Sequence, residues 1–390
     1  MSKNKKQKDI PEGWKMVDLG DLGKVSMCKR ILKDQTLPAG DIPFFKIGTF
    51  GKEPDAYISK KIYNEFREKY SFPKTGDILI SASGTIGRTV IYDGVPSYFQ
   101  DSNIIWIANS EDLISNLYLS HLYKRIRWST ASGTIARLYN DLVKSTTVMA
   151  PPLPEQNRIV SVLETWDSGI EKLQQKIAIK KEIKKGLMQE LLTGKKRLPG
   201  FSDKWQDLEF EKCLDVLKKP KGLKSSEYKA GGYSIFDQSD NKYISGYTHD
   251  EQFIYNYSLE NSVILFGDHS RTIKYIYQKC AFGNDGIKLF QGNNISDTRF
   301  MYYRLLIQEV PNTGYNRHFK YLKEEIFSLP LIEEQKAIAS ILSTADIGIA
   351  TLKKKLNYWQ EQKKYLLNNL ITGQIRTPNN LQELITNNYA

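Results

Sequence analysis

Residues 151–194 read PPLPEQNRIVSVLETWDSGIEKLQQKIAIKKEIKKGLMQELLTG, and residues 330–373 read PLIEEQKAIASILSTADIGIATLKKKLNYWQEQKKYLLNNLITG. Laid side by side without a gap, Pro151, Glu155, Gln156, Ile159, Asp167 and Gly169 meet Pro330, Glu334, Gln335, Ile338, Asp346 and Gly348. Each pair is 179 positions apart. The same offset joins Leu191 to Leu370 and Thr193-Gly194 to Thr372-Gly373. One structural unit is used twice in this chain.

The apolar residues of each copy recur every seven positions. Leu163, Ile170, Ile177 and Leu191 form one set and Trp166, Leu173 and Leu187 the other; the second copy has Leu342, Ile349, Leu356 and Leu370, then Ala345, Leu352, Trp359 and Leu366. A stripe kept up over about four heptads is a coiled-coil seam. Lys184 and Lys363 interrupt the same seam position, as does Lys180 in the first copy, so polar residues there are expected to set pairing register at some cost in stability. Each helix is expected to stop at its Thr-Gly, where glycine can take the left-handed conformation. Two matching seams on one chain can satisfy each other.

The chain around this repeat has 390 residues, 40% of them hydrophobic, enough for two or three domains. No apolar run approaches the 18 or so residues needed to cross a bilayer, and the start MSKNKKQKD lacks the apolar core of a signal peptide. A soluble cytoplasmic protein with no membrane partner is expected. Cys28, Cys213 and Cys280 have no CxxC spacing and an odd count, which argues against a disulfide framework and a zinc site. The net charge of +12 favours polyanionic partners. It is unevenly spread: residues 1–150 carry +6, 151–200 carry +4, 201–329 are neutral and 330–390 carry +2.

The order of segments is globule, helix, globule, helix. Residues 1–10 have nothing to bury and are expected to lack order. The expected boundaries are a first globule over 11–150, a helix over 151–194, a linker over 195–204, a second globule over 205–329, a helix over 330–373 and a tail over 374–390. Pro11-Glu12-Gly13-Trp14 opens the first globule, and Phe201 to Trp205 is its counterpart before the second. In the first globule Asp77–Ser81 reads as a buried strand followed by the glycine-punctuated loop Ser83–Arg88. Strands over Thr89–Tyr92 and Ser102–Ala108, a helix over Leu113–Arg127 and a polar loop to Tyr139 follow. The second globule repeats these events over Asn261–Phe266, Gly267–Arg271, Ile273–Tyr277, Gly286–Phe290, Arg299–Glu309 and Asn312–Tyr321, with different loop residues. A shared scaffold carrying different loops suits two different readers on one frame.

The duplicated Pro-Leu-Pro-Glu-Gln (152–156) and Ile-Glu-Glu-Gln (332–335), each leading into an apolar helix beside a variable globule, resembles the specificity subunits of type I restriction-modification systems. The resemblance covers nearly the whole chain after residue 10. It implies an α+β fold with a pseudo-two-fold internal repeat: two α/β target recognition domains joined by two long helices in an antiparallel coiled coil. It implies a non-catalytic subunit that binds double-stranded DNA, each domain reading half of a split site. Methyltransferase (modification) subunits, two of them, are the implied partners, with restriction subunits added for cleavage. No cofactor is expected on this chain; S-adenosylmethionine, ATP and Mg are expected on the partners. The first helix opens Pro-Glu-Gln where the second has Glu-Glu-Gln, so the two copies are expected to grip their partners unequally. A stand-alone DNA-modifying enzyme or a protein-only scaffold are the alternatives. Against the enzyme, the chain has no Asn-Pro-Pro-Tyr type methyltransferase motif, no GxGxxG and no HExxH.

A paired helix of about 30 residues spans about 45 Å, while duplex DNA turns once in about 34 Å. The spacer and the duplex are commensurate, and because the globules differ the expected site is bipartite and non-palindromic. For base contacts the candidates are Ser81, Ser83, Thr85, Arg88, Ser132, Thr134, Arg137 and Tyr139 in the first globule. In the second they are His269, Arg271, Lys274, Tyr315, Asn316, Arg317, His318 and Lys320. Hydroxyls bond base edges or phosphates, and Arg addresses guanine bidentately; any of these residues could equally be part of a solvated loop. Lys176, Lys180, Lys181, Lys184 and Lys185 form a basic cluster, either the solvated flank of the coil or a contact for DNA phosphates or an acidic partner. Ser83–Arg88 lacks the GxxxxGK[ST] of a phosphate loop. Asp268, His269 and His318 suggest acid-base or metal chemistry only if folding joins them.

Overall fold

The computed structural model describes residues 10–128, 137–314 and 316–381. The chain divides into two compact units, Met1–Lys172 with Leu356–Ala390, and Leu173–Lys355. Each unit holds one globule, the start of the long helix that follows it and the end of the other long helix. The fold is α+β: two α/β globules of one topology, joined by the helices Leu153–Leu191 and Ile332–Ile371.

The first globule is built on a four-stranded antiparallel sheet in the order Gly23–Ser26, Ile104–Asn109, Ile78–Ser81, Thr89–Ile91. All of Ile78–Ser81 is buried, as an unbroken apolar run requires when both faces of a central strand are covered. A three-stranded sheet carries Tyr57–Ile58, Ile42–Phe45 and Tyr98–Phe99, the last pairing parallel. Lys15–Asp18 pairs antiparallel with Thr147–Ala150, so the chain enters and leaves the globule side by side.

The second globule repeats this plan strand for strand. Its four-stranded sheet runs Leu214–Val216, Ile287–Gly292, Val263–Gly267, Ile273–Ile276, and its three-stranded sheet Gly246–Thr248, Tyr233–Phe236, Cys280–Phe282, again with one parallel pair. Gln206–Glu209 and Ile326–Leu329 are its entry and exit strands. A short helix follows each four-stranded sheet: Asn116–Tyr123, capped by Ser115, and Thr298–Leu306, capped by Asp297.

Several expectations change. The first short helix is shorter than Leu113–Arg127, because the Ser115 cap fixes its start and the turn ends at Tyr123. The segment Asn312–Tyr321 is not wholly a loop, since Phe319–Lys323 is helical. Entry and exit strands, the three-stranded sheets and the helix Lys60–Lys69 have no counterpart in the sequence reading. Several of those strands are only two to four residues long, too short for alternation to register.

In the first unit, Trp166 meets Trp359 edge-on at 6.0 Å between ring centroids, Asp167 pairs with Lys363, and Glu155 pairs with Arg376. In the second, Lys184 pairs with Asp346 and Arg197 with Glu334. From 155 to 166 and 167 the partners drop from 376 to 359 and 363, and from 184 to 197 they drop from 346 to 334, so in each unit the segments run antiparallel. Every seam residue from Leu163 to Leu370 is buried or half-buried, while most positions between them are exposed. The helices have 39 and 40 residues, longer than the 30 or so the seam suggested, because the Pro-Glu-Gln and Glu-Glu-Gln turns are themselves helical. Among the described residues no helix is long and apolar enough to cross a membrane.

Candidate nucleic-acid interface

The loops that end the central strands gather most of the candidate side chains, and the structure sorts them into those that hold the loops and those that face solvent. In the first globule, Ser81 is buried. Its hydroxyl donates to the Thr85 carbonyl at 2.5 Å and accepts from the Arg88 amide at 2.9 Å, closing the turn. Gly84 and Gly87 take positive φ within it, and a Cβ on Gly87 would lie 2.4 Å from Trp128. Ser83 Oγ donates to Asn103 Oδ1 at 2.8 Å, Arg88 Nη1 to the Phe50 carbonyl at 2.9 Å and Arg137 Nη2 to the Ser102 carbonyl at 2.7 Å. Thr85 and Tyr139 are exposed. Ser132 and Thr134 lie outside the described residues.

Three loops therefore converge in this globule: 46–51, 81–88 and 100–103. Sequence reasoning found only the second. Gln100, whose side-chain oxygen accepts from the Ile47 amide at 2.8 Å, and Asn103 follow the parallel strand Tyr98–Phe99. Two apolar residues give no periodic signal, so that strand and the loop after it went unread.

In the second globule, His318 is buried. Its Nδ1 lies 3.0 Å from the Asp268 carbonyl, and its Nε2 accepts from the Thr313 amide at 3.3 Å, which selects the Nδ1–H tautomer. Asp268 Oδ1 accepts from the Phe319 amide at 2.9 Å. Folding does join Asp268 and His318, but through a backbone carbonyl, as a splint between two loops rather than an acid-base pair. His269 is half-buried; its amide donates to Gln238 Oε1 at 3.2 Å and its ring Nδ1 lies 3.3 Å from the Asn316 carbonyl. Arg271, at φ 60°, donates to the Val310 carbonyl at 3.0 Å. Lys274 is buried, bonded to the Lys242 carbonyl at 2.7 Å, and burial lowers its pKa against the opposing pull of Asp237 and Asp240. Asn316, Arg317 and Lys320 are exposed, with Lys320 Nζ 4.7 Å from the centre of the Tyr321 ring. Tyr315 lies outside the described residues.

Ser81, Lys274 and His318 thus differ from the exposed candidates: their polar atoms are buried and bonded within the fold. A cavity of about 300 Å3 lined by Tyr228, Asp237, Gln238, Ser239, Asn284 and Asp285 adjoins the His269 loop through Gln238. None of these was a candidate from sequence; all but Tyr228 come from two strand ends 46 residues apart, joined by the parallel pairing of Tyr233–Phe236 with Cys280–Phe282. No group of histidine, cysteine and carboxylate side chains suited to a metal occurs among the described residues.

The repeated Glu-Gln holds each globule to its helices. Gln156 Nε2 donates to the Leu113 and Pro151 carbonyls, and its Oε1 accepts from the Ser115 amide. Gln335 does the same with Ile295, Pro330 and the amide of Asp297. Glu155 takes a two-pronged contact from Arg376 at 2.6 and 2.8 Å, and Glu334 one from Arg197 at 2.8 and 2.7 Å. The copies differ at the tryptophan: Trp14 Nε1 donates to Glu155, whereas Trp205 Nε1 has no hydrogen bond among the described residues. Of the basic cluster, Lys176, Lys180, Lys181 and Lys185 are exposed and Lys184 is half-buried on Asp346.

A duplicated α/β unit with dissimilar loops on one repeated helical frame defines a recognition protein. The family model "Type I restriction modification DNA specificity domain" matches residues 11–181 and again 202–358, and the chain belongs to that family. A putative type I restriction enzyme specificity subunit of Haemophilus influenzae, S.HindORF215P, is 62% identical over 161 residues, 41% of this chain and 42% of that protein. That match spans less than half of the relative. The putative MjaX specificity subunit of Methanocaldococcus jannaschii is 24% identical over 94% of this chain and 95% of its own length. The crystal structure of the type I restriction-modification system S subunit from M. genitalium has the same fold, with a TM-score of 0.61 at 16% identity over 94% of this chain and 97% of that one.

Proposed function

We propose that this chain is the DNA-recognition subunit of a type I restriction-modification complex and is not itself an enzyme. Residues 11–150 and 205–329 are its two target recognition domains, each reading one half of a bipartite, asymmetric site. The helices carry two methyltransferase subunits, which bring S-adenosylmethionine, and restriction subunits where cleavage follows; the complex works in the cytoplasm. One observation carries the reading: the family match falls separately on both halves of a chain whose halves share topology but not loop residues.

The exposed loop residues suggest how the reading is done. Thr85 and Tyr139 on the first globule, and Asn316, Arg317 and Lys320 on the second, offer hydroxyl, amide and cationic groups to base edges and phosphates. Arg88, Arg137 and Arg271 are tied to backbone carbonyls, so they hold loop shape with one nitrogen and keep others for DNA. A bidentate arginine to guanine supplies about 1–3 kcal/mol of discrimination.

The test is methylome sequencing of a host carrying this chain with its modification subunits, before and after residues 205–329 are exchanged for those of a relative. One half of the modified site is expected to change and the other to stay. If both halves change, the modular reading is wrong. Arg317→Ala is expected to relax one base position; equal weakening on all sequences would make it a phosphate contact.

A further inference from the structure

The second unit contains a cavity of about 660 Å3 where the long helix Leu153–Leu191 passes the end of the helix Thr298–Leu306. Lys181, Lys184, Lys185 and Lys195 line one side, and Leu306 and Ile307 the other. Lys184 is held by Asp346. Lys181, Lys185 and Lys195 are exposed and form no ion pair among the described residues.

The internal repeat supplies the comparison. Gln156 accepts from the Ser115 amide and Gln335 from the Asp297 amide, which aligns the two short helices: Lys124 corresponds to Leu306, Arg125 to Ile307 and Arg127 to Glu309. On the long helices, Lys184 and Lys185 correspond to Lys363 and Lys364, whereas Lys181 and Lys195 correspond to Gln360 and Gln374. In the first unit, Arg125 Nε donates to Asn368 Oδ1 at 3.1 Å, and Asn368 corresponds to Gln189, which lines the cavity of the second unit. Thus the junction is cationic in both units, but by opposite means: the globule supplies the extra charges in the first and the long helix in the second.

We propose that this junction is a binding site for the DNA sugar-phosphate backbone, with Lys181, Lys185 and Lys195 as its phosphate contacts in the second unit. The inference rests on the reading of the chain as a DNA-recognition subunit and adds to it the source of its phosphate contacts. The second globule is neutral over 201–329, against +6 over 1–150, while residues 151–200 carry +4. A globule without surplus charge holds a polyanion only with cations lent by a neighbour, and the adjoining lysines are those cations. Three lysines, each a compact point charge on a flexible stem, can follow successive backbone phosphates without demanding one fixed geometry.

The test uses the full chain assembled with its modification subunits and two fluorescent duplexes, one of random sequence and one bearing the methylated site. Lys181→Gln/Lys185→Gln/Lys195→Gln is expected to lower the slope of log affinity against log salt by about 2.7, since each of the three phosphate contacts contributes about 0.9. It should weaken both duplexes alike, leaving their affinity ratio unchanged. A second variant, Leu306→Lys/Ile307→Arg, copies the first unit's solution and is expected to raise the slope by about 1.8 in the otherwise unaltered chain and to restore about that much of the loss in the triple variant. An unchanged slope in the folded triple variant overturns the proposal, as does loss of the modification subunits with the slope intact, which would mark an acidic protein as the partner. A wild-type chain that binds both duplexes equally would instead sink the DNA-recognition reading itself.

Discussion

Lys184 Nζ lies 2.7 Å from Asp346 Oδ1, and the same pair recurs 179 residues along as Lys363 with Asp167. Lys184 and Lys363, which break the apolar seam at equivalent positions, are the cationic halves of a duplicated lock. Asp346 also accepts from the Tyr303 hydroxyl at 2.8 Å, which ties the globule's short helix to the long pair. Asp346→Lys should destabilise the chain by about 1–2 kcal/mol, an estimate set by a pair only partly shielded from water. Adding Lys184→Glu should recover part of the loss, as measured by a double-mutant cycle in urea. Additive losses would show that the lock does not fix register.

Gln335 is fully buried and satisfies two carbonyls and one amide from two separate segments, 295–297 and Pro330. Gln335→Ala leaves those groups dry and unpaired, at a cost of about 2–5 kcal/mol. Gln156→Ala should cost a similar amount through the first globule. Thermal unfolding of the two variants should show losses of comparable size, and a loss below about 1 kcal/mol in either would contradict the stapling role.

Gly169 and Gly348 correspond in the repeat but not in their surroundings. A Cβ on Gly169 would lie 3.0 Å from the Trp359 ring, whereas one on Gly348 meets nothing within 4 Å. Gly348→Ala should therefore stabilise its helix by about 0.8–1 kcal/mol, the intrinsic preference for alanine. Gly169→Ala should gain less or lose, because the ring must shift. Equal gains at the two sites, seen by differential scanning calorimetry, would mean that Trp359 yields freely.

His121 occupies the place of Tyr303 in the first unit, is buried, and has no partner for its Nδ1. Burial, with help from Lys124 and Lys363 and against Asp167, pushes its pKa down from 6.5 to about 4. The unfolded chain therefore binds the proton first. This contribution to stability is whole above 6.5 and is lost as pH falls toward about 4, by at most about 3 kcal/mol. His121→Tyr, which copies the second unit, should flatten the decline of stability over that window in chemical denaturation. A variant as acid-sensitive as the wild type would place the titration elsewhere.

Much of this architecture was legible because it is periodic or duplicated. The seam from Leu163 to Leu370, the central strands near Ile80 and Leu265 and the order of segments each leave a pattern that local chemistry writes along the chain. Arg197 and Arg376 share the 179-residue offset, but the repeat does not name their partners, and only folding brings them to Glu334 and Glu155. Gln238 and Asn284 went unread because only folding joins them, and the burial of Ser81, Lys274 and His318 was not legible because polarity in a loop does not reveal which way a side chain turns.

Sequence alone determined the repeat, the helices and the kind of protein, since a seven-residue stripe and an ungapped duplication follow from backbone geometry and chain identity. Which polar residues hold the loops and which remain exposed was decided only by tertiary structure. Burial and hydrogen bonding join residues distant in the chain, and a polar group committed to a buried carbonyl is lost to any ligand.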